Sequence, residues 1–355
     1  MMSTPRTDYN PPLTKEIIKN KFFKDDKFIL FDVGASQGID TIWNLFDDFL
    51  LAYGFDPLVK EIQRLNQINN NANIHYFDAF ITDNNKKLIS PKKYPKVWQR
   101  TSTIDHLNNI NFNFNETFNN NDKELIYSKN KYSLDVFIKK NDIKNIDFIK
   151  IDTDGNDIAV LNGCNHLFKH CDPLGIMIEC QLHGDKSTQS NTFRNIDRIL
   201  TNIGYSLFDF EVYRYSRKSL PSKFLYNLIA QTERGQILWG DALYIKDYLS
   251  PENIKFLKNI SITKKLKLLC IFEMNGLADC AAELIIKMIN DADISRKLGN
   301  KWLDIISSKN NPNFKNYLAT IKEFKNNPKS FFPSKKNNIQ KIKFFKSLQK
   351  FLIGS

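Results

Sequence analysis

The sequence predicts an α/β fold: a mostly parallel sheet with an antiparallel terminal strand, followed by a helical C-terminal extension. Apolar, β-favouring runs recur along the first half of the chain and end in acidic residues. Segments with helical spacing of apolar residues alternate with these runs, which is the pattern of a parallel sheet. After residue 249 turn signals thin out and helical periodicity dominates.

The first strand and helix lie in the stretch FILFDVGASQG and the residues after it. The apolar run ends in Asp32. A loop with the small residues Gly34, Ala35 and Gly38 follows, and residues 39–46 then have helical spacing. This order of strand, tight turn and helix is typical of the first unit of a nucleotide-binding sheet. Glycine suits the loop because it takes positive φ angles and lets a ligand approach the backbone.

The spacing of this loop distinguishes between ligands. A dinucleotide site has G-x-G-x-x-G, with a pyrophosphate at the helix N-terminus, whereas this loop has G-x-x-x-G after Asp32. An acid there would repel a pyrophosphate but would suit a cationic amino-acid group. S-adenosylmethionine carries an ammonium, a sulfonium and no phosphate, so the loop favours this ligand. A glycine-containing turn of any α/β protein is the alternative.

Two further strands end in acids. The run YGFDP places Asp56 and Pro57 at the end of the second strand, before a helix over residues 58–68, and the third strand ends at Asp78 and Ala79. Ligands of open α/β sheets bind at the carboxyl ends of strands, so we expect Asp56 to contact the ribose and Asp78 the adenine. One such acid is usually a helix cap, but three at one edge indicate a site.

The fourth and fifth strands also run into acids. The stretch IDFIKIDTDGND brings Asp152 and Asp154 to the end of the fourth strand, and MIECQ brings Glu179 to the end of the fifth, with His183 shortly after it. These four residues are the candidates for the base that deprotonates a methyl acceptor. The carboxylates could instead hold a divalent cation that activates the acceptor hydroxyl. For His183, a surface position in a turn is the alternative.

The motifs FDVGASQG, GFDP, TSTID, DFIKIDTDGNDIAVLNGC, MIECQ and WGDALYI together resemble the FkbM-type S-adenosylmethionine-dependent methyltransferases, over about residues 28–247. Family members usually have Glu-Gly where this chain has Asp154 and Gly155. The resemblance implies a class I methyltransferase (Rossmann-like) sheet and O-methylation of sugars or other hydroxyl-bearing metabolites. A Gly-Asp pair also recurs in the family, so we expect Asp241 near the substrate mouth; a turn aspartate is the alternative.

The chain divides into three predicted parts: an N-terminal arm over residues 1–26, a methyltransferase domain over 27–248 and a helical extension over 249–355. Within the domain, the polar stretch 91–131 is either a lid or substrate loop or a disordered insertion. The extension ends in a basic amphipathic stretch, 335–353. This stretch would pack on the protein or a partner, or lie on an anionic membrane surface.

Charge and cysteine usage exclude several classes. The net charge is +12, but residues 329–355 contain seven lysines and no acid, so the remainder is only mildly basic and does not indicate a nucleic-acid-binding domain. Five cysteines without a C-x-x-C pair fit neither a disulfide framework nor a zinc ribbon. His166 and His170 share a helix face, which is compatible with a metal or with a solvated helix end; we assign no metal ligand.

The sequence therefore predicts a cytoplasmic S-adenosylmethionine-dependent O-methyltransferase acting on a hydroxyl-bearing small molecule or saccharide, with peripheral contact at the inner membrane face left open. An RNA methyltransferase is one alternative, but DTDG stands where amino-methylating enzymes have a motif of the type N-P-P-Y. A non-catalytic partner-binding module is the other, and the retained strand-end acids speak against it.

Overall fold

The computed structural model describes residues 7–83, 126–153, 155–184, 186–216, 231–308 and 316–331. Asp154, most of the polar stretch 91–131 and the amphipathic stretch 335–353 lie outside the described residues, and their predicted roles stay predictions. Among the described helices, none has the length and apolar character that crossing a bilayer requires.

Seven strands form one sheet in the order β3-β2-β1-β6-β7-β9-β8. Their bounds are β1 Phe28–Val33, β2 Leu50–Asp56, β3 Ile74–Asp78, β6 Phe148–Ile151, β7 Gly175–Gln181, β8 Ser206–Tyr215 and β9 Gln236–Ile245. Two short strands, β4 Phe80–Ile81 and β5 Lys131–Tyr132, pair with each other. Strand β9 lies between β7 and β8 and is antiparallel to both, whereas the other pairs in the sheet are parallel. The predicted class I methyltransferase sheet is confirmed.

The described helices are α1 Pro12–Lys19, α2 Val59–Ile68, α3 Leu134–Lys140, α4 Asp157–Asn162, α5 Asn165–His170, α6 Phe193–Asn202, α7 Ile254–Leu257, α8 Ile262–Met274, α9 Ala278–Asn290, α10 Arg296–Ser308 and α11 Tyr317–Asn326. Two 3-10 segments cover Thr41–Phe49 and Pro328–Phe331. The helical spacing over residues 39–46 thus corresponds to a 3-10 segment. The segment is kinked near its end, where Asp47 has non-helical dihedrals with a φ of 48° and a ψ of −124°.

The alternation of side chains along the strands separates two apolar cores, one on each face of the sheet. In β1, Phe28 and Leu30 belong to a core shared with α1, the first 3-10 segment and helices α8 to α10. Phe31 and Val33 belong to the opposite core, formed with helices α3 to α6. The C-terminal helices therefore cover one face of the sheet and form part of the same hydrophobic core.

Helix α8 also contacts the rest of the chain through buried charges. Lys267 Nζ lies 2.9 Å from Asp147 Oδ2, immediately before β6, and 2.6 Å from Asp26 Oδ1. The Glu273 carboxylate accepts hydrogen bonds from two backbone N–H groups at the start of α1 and from the Thr14 hydroxyl. This carboxylate satisfies donors that an α-helix leaves unpaired at its N-terminus. The arm and the extension are therefore joined directly.

Candidate active site

The acids predicted at the strand ends lie along the carboxyl edge of the parallel strands. Asp32 is in register with Gly54 of β2 and Lys150 of β6, and Asp56 is in register with Asp78. Because parallel strands present their carboxyl ends at one edge, these side chains share the crevice where ligands of such sheets bind. The observed strand order β3-β2-β1 is what brings Asp32, Asp56 and Asp78 together.

The loop after β1 lies in close contact with the backbone at the end of β6. Gly34 has a φ of +93°, and a Cβ on it would lie 1.7 Å from the carbonyl oxygen of Asp152. The N–H groups of Gly34 and Ala35 both donate to the Phe55 carbonyl, at 2.8 and 2.9 Å. Gly38 also has a positive φ, of +95°. Glycine at 34 is therefore required by the contact between two backbones, which fixes the loop at the edge of the sheet.

Asp32 has the geometry expected of a group that binds a cation. Its side chain is 3% exposed, and its Oδ1 lies 3.5 Å from Lys150 Nζ yet makes no hydrogen bond to the described residues. Burial raises the pKa of Asp32 to about 6, although Lys150 opposes the shift. A buried carboxylate oxygen without a hydrogen bond fits the ammonium group of S-adenosylmethionine, so the residues present are compatible with that cofactor.

The acids on β2 and β3 have internal partners. Asp56 Oδ1 accepts a hydrogen bond of 2.8 Å from the N–H of Leu58, at the start of α2. Asp78 Oδ2 accepts one of 2.9 Å from the Ser128 hydroxyl. The neighbouring backbone is engaged as well, because Ala79 donates to the Asp56 carbonyl and the Pro57 carbonyl accepts from Ser128. These bonds fix the orientation of both carboxylates, while their ribose and adenine roles stay predictions.

A buried aspartate that the sequence analysis did not single out organises the loop after β6. Asp157 accepts hydrogen bonds from the N–H and hydroxyl of Thr153, from the N–H of Gly155 and from Asn191 Nδ2 at 2.7 Å. Burial raises its pKa to about 6, and the bonds from Thr153 act against that rise. The motif D-G-x-D before a helix was the available signal, since an acid in the first turn pairs with free N–H groups.

Three carboxylates lie side by side across the neighbouring strands. Glu179 of β7 is in register with Asp241 of β9, which is in register with Glu211 of β8. Two residues further along the same face, Trp239 and Tyr213 are stacked with ring centroids 4.0 Å apart, and the Tyr213 hydroxyl donates to Asp241 Oδ2 at 3.2 Å. We call these five residues the acceptor face. Like charges directly opposite each other destabilise a sheet, so this arrangement indicates a functional surface.

His183 lies two residues beyond the end of β7, the strand that carries Glu179. Its Nε2 donates to the Ile237 carbonyl at 2.8 Å, which assigns the proton to that nitrogen. If His183 accepts a proton from a substrate, Nδ1 is the atom that does so.

Metal-ligating side chains do not converge within the described ranges, where no group of three His, Cys, Asp or Glu residues is disposed to hold an ion. The ring centroids of His166 and His170 are 4.1 Å apart on α5. The backbone N–H of His166 donates to the Asp135 carboxylate. A divalent cation stays a prediction.

Comparison with known proteins identifies the domain. The model of the methyltransferase FkbM domain matches residues 32–207. No curated protein sequence is significantly similar to the chain.

Similar solved structures include a precorrin-6y C5,15-methyltransferase from Geobacter metallireducens GS-15 (8% identity, 65% of this chain and 87% of that one, TM-score 0.30). They also include a SAM-dependent methyltransferase from Aquifex aeolicus (10%, 67% and 94%, TM-score 0.29). A third is the magnesium protoporphyrin IX methyltransferase of Synechocystis PCC 6803 with bound SAM (9%, 66% and 80%, TM-score 0.29). These TM-scores are low, and the fold assignment rests on the strand order.

Proposed function

Because residues 32–207 form a methyltransferase FkbM domain, we propose that this S-adenosylmethionine-dependent methyltransferase transfers its methyl group to a hydroxyl of a saccharide or glycan precursor. The family and the sheet support S-adenosylmethionine as the methyl donor. The acceptor face supports a saccharide as the methyl acceptor. We call the loop from Gly34 to Gly38 the donor loop. It follows β1, and the acceptor face begins on β7, so that only β6 lies between the two.

The acceptor face carries the proposal for a saccharide. The stacked rings of Trp239 and Tyr213 offer an apolar surface for the C–H face of a sugar ring. The carboxylates of Glu179, Asp241 and Glu211 are hydrogen-bond acceptors, and sugar hydroxyls are donors. An aromatic pair beside a row of acceptors is therefore complementary to a polyhydroxylated ring, and its negative charge disfavours a polyanion such as RNA.

The chemistry needs an in-line approach of the acceptor oxygen and the loss of its proton. The bound cofactor would supply a methyl group on a positively charged sulfur. Asp32 would hold the cofactor's ammonium, and the fixed loop at Gly34 would keep that end of the cofactor in place, so that positioning supplies much of the acceleration. A carboxylate at the junction of the two sites would accept the hydroxyl proton, and we assign this role to Glu179 or Asp152.

Calorimetric titration with S-adenosylhomocysteine tests the donor. We expect saturable binding to the full chain and at least tenfold weaker binding to Asp56→Ala, because the variant loses the proposed ribose contact. Asp142→Ala, whose side chain is 84% exposed on the surface, is the matched control and should bind as the wild type does. No binding to the wild type, or equal affinity in Asp56→Ala, would refute the cofactor assignment.

Transfer of isotope-labelled methyl groups to a panel of saccharides, nucleotide sugars and RNA tests the acceptor. We expect label in a carbohydrate fraction that survives mild base, as an ether does. Label in RNA would instead favour the nucleic-acid alternative, and cofactor binding without turnover on any acceptor would favour a non-catalytic module.

A further inference from the structure

Lys150 lies between the donor loop and the acceptor face. From β6, its Nζ lies 3.5 Å from Asp32 Oδ1 on one side and 3.3 Å from Asp152 Oδ2 on the other. The two carboxylates differ in burial, since their side chains are 3% and 40% exposed. Within the described part of the chain, Lys150 is the cation that pairs with Asp32.

The charges around this group come from several elements. Burial alone lowers the pKa of Lys150, but Asp32 and Asp152 outweigh burial and hold it above the ordinary value for a lysine. Lys150 therefore stays protonated at neutral pH and does not act as a base. The titratable groups that act on Asp32 or on Lys150 are Asp40 after β1, Tyr76 on β3, Asp152 after β6 and Asp241 on β9.

We propose that Lys150 is a positioning residue that holds Asp32 ionised and oriented for the cofactor's ammonium while it anchors Asp152 beside the acceptor. This inference rests on the proposed function, because it takes S-adenosylmethionine as the ligand. One ammonium in contact with a carboxylate of each site links the geometry of donor and acceptor. Without it, Asp32 would be a buried carboxylate with no counter-charge, and such a group binds a proton instead.

The test is the pH dependence of S-adenosylhomocysteine binding, measured by calorimetry between pH 5.5 and 8.5. In the wild type the affinity should fall only near pH 6, where Asp32 takes up a proton. In Lys150→Met the midpoint should move up by about one pH unit, so that affinity at pH 6.5 drops about threefold and recovers at pH 8.5. Lys150→Arg keeps the charge and should restore the wild-type profile.

Two variants make the result specific. Lys144→Met removes a lysine that is 77% exposed and pairs with Asp142 on the surface, so it should leave the profile unchanged. Adding Asp32→Asn to Lys150→Met removes the titrating group and should make the residual affinity independent of pH.

A loss of affinity in Lys150→Met that is equal at all pH values would show a packing role and overturn the inference. So would a pH midpoint that persists when Asp32 is replaced. If the wild type itself does not bind S-adenosylhomocysteine, the proposed function fails first. The outcome in the wild type therefore separates the two failures.

Discussion

Replacing Lys267 with methionine should destabilise the whole fold. The Lys267 side chain is 1% exposed, and its Nζ lies 2.6 Å from Asp26 Oδ1, 2.7 Å from the Lys27 carbonyl oxygen and 2.9 Å from Asp147 Oδ2. Methionine matches the length of the lysine stem and packs in the same apolar surroundings, so the substitution removes the charge with little change in volume.

The magnitude follows from what the variant leaves behind. The Asp147 side chain is 3% exposed, and it would keep its hydrogen bond of 2.8 Å from the N–H of Ile29 but lose its counter-charge. Breaking a buried ion pair from one side costs about 3–5 kcal/mol. The Asp26 side chain is 40% exposed and can be solvated, so the loss of its ion pair with Lys267 adds little to the destabilisation. Burial already raises the pKa of Asp147 while Lys267 opposes that rise.

Urea unfolding followed by circular dichroism measures the effect. Without Lys267 the folded-state pKa of Asp147 rises further above its unfolded value. The folded state then binds more protons than the unfolded state, and the variant should regain stability as the pH falls from 7 towards 5. Lys301→Met, which breaks a surface pair with Glu16, is the control and should be nearly neutral.

The double variant Lys267→Met/Asp147→Asn removes both buried charges and should recover most of the loss, because an apolar or neutral pair often replaces a buried ion pair without cost. A loss below about 1 kcal/mol in the single variant would refute the reasoning. So would a double variant that is no more stable than the single one.

Two further predictions concern the site. Gly34→Ala should lose cofactor binding and unfold at a lower urea concentration than Gly204→Ala. Both glycines have φ near +90°. An added Cβ would lie 1.7 Å from the Asp152 carbonyl oxygen at Gly34, but 3.9 Å from the nearest atom at Gly204. Equal urea midpoints for the two variants would contradict the close contact at Gly34. Trp239→Ala should raise the KM for the acceptor at least tenfold and leave S-adenosylhomocysteine affinity unchanged, whereas Phe256→Ala, an exposed phenylalanine elsewhere, should change neither. A Trp239→Ala variant with weaker cofactor binding and an unchanged acceptor KM would contradict the acceptor face.

The parallel strands could be predicted because each is a short apolar run that ends in an acid, and that local pattern does not depend on the rest of the chain. The 3-10 segment Thr41–Phe49 differs from the predicted helix. Its apolar spacing is helical, but Asp47 takes a non-helical backbone conformation that the spacing does not encode.

The acceptor face could be predicted only in part. The sequence predicts Glu179 at a strand end and Asp241 near the substrate mouth, but their alignment with Glu211 depends on β9 lying between β7 and β8. Register between distant strands is a tertiary property, since a shift of one residue would move each side chain to the other face. The bridging position of Lys150 likewise follows from β6 lying beside β1, which no short motif specifies.

The bond between Glu273 and α1 has a consequence for how the chain is made. The carboxylate that completes the start of α1 lies 260 residues further along the chain than Leu13, whose N–H it accepts. At ribosomal rates of about 5–20 residues per second, the first helix waits roughly 13–52 s for its partner. During that interval the sheet face can be covered by α1 and the first 3-10 segment but not by α8. The nascent chain therefore completes the start of its earliest helix only after α8 has been synthesised.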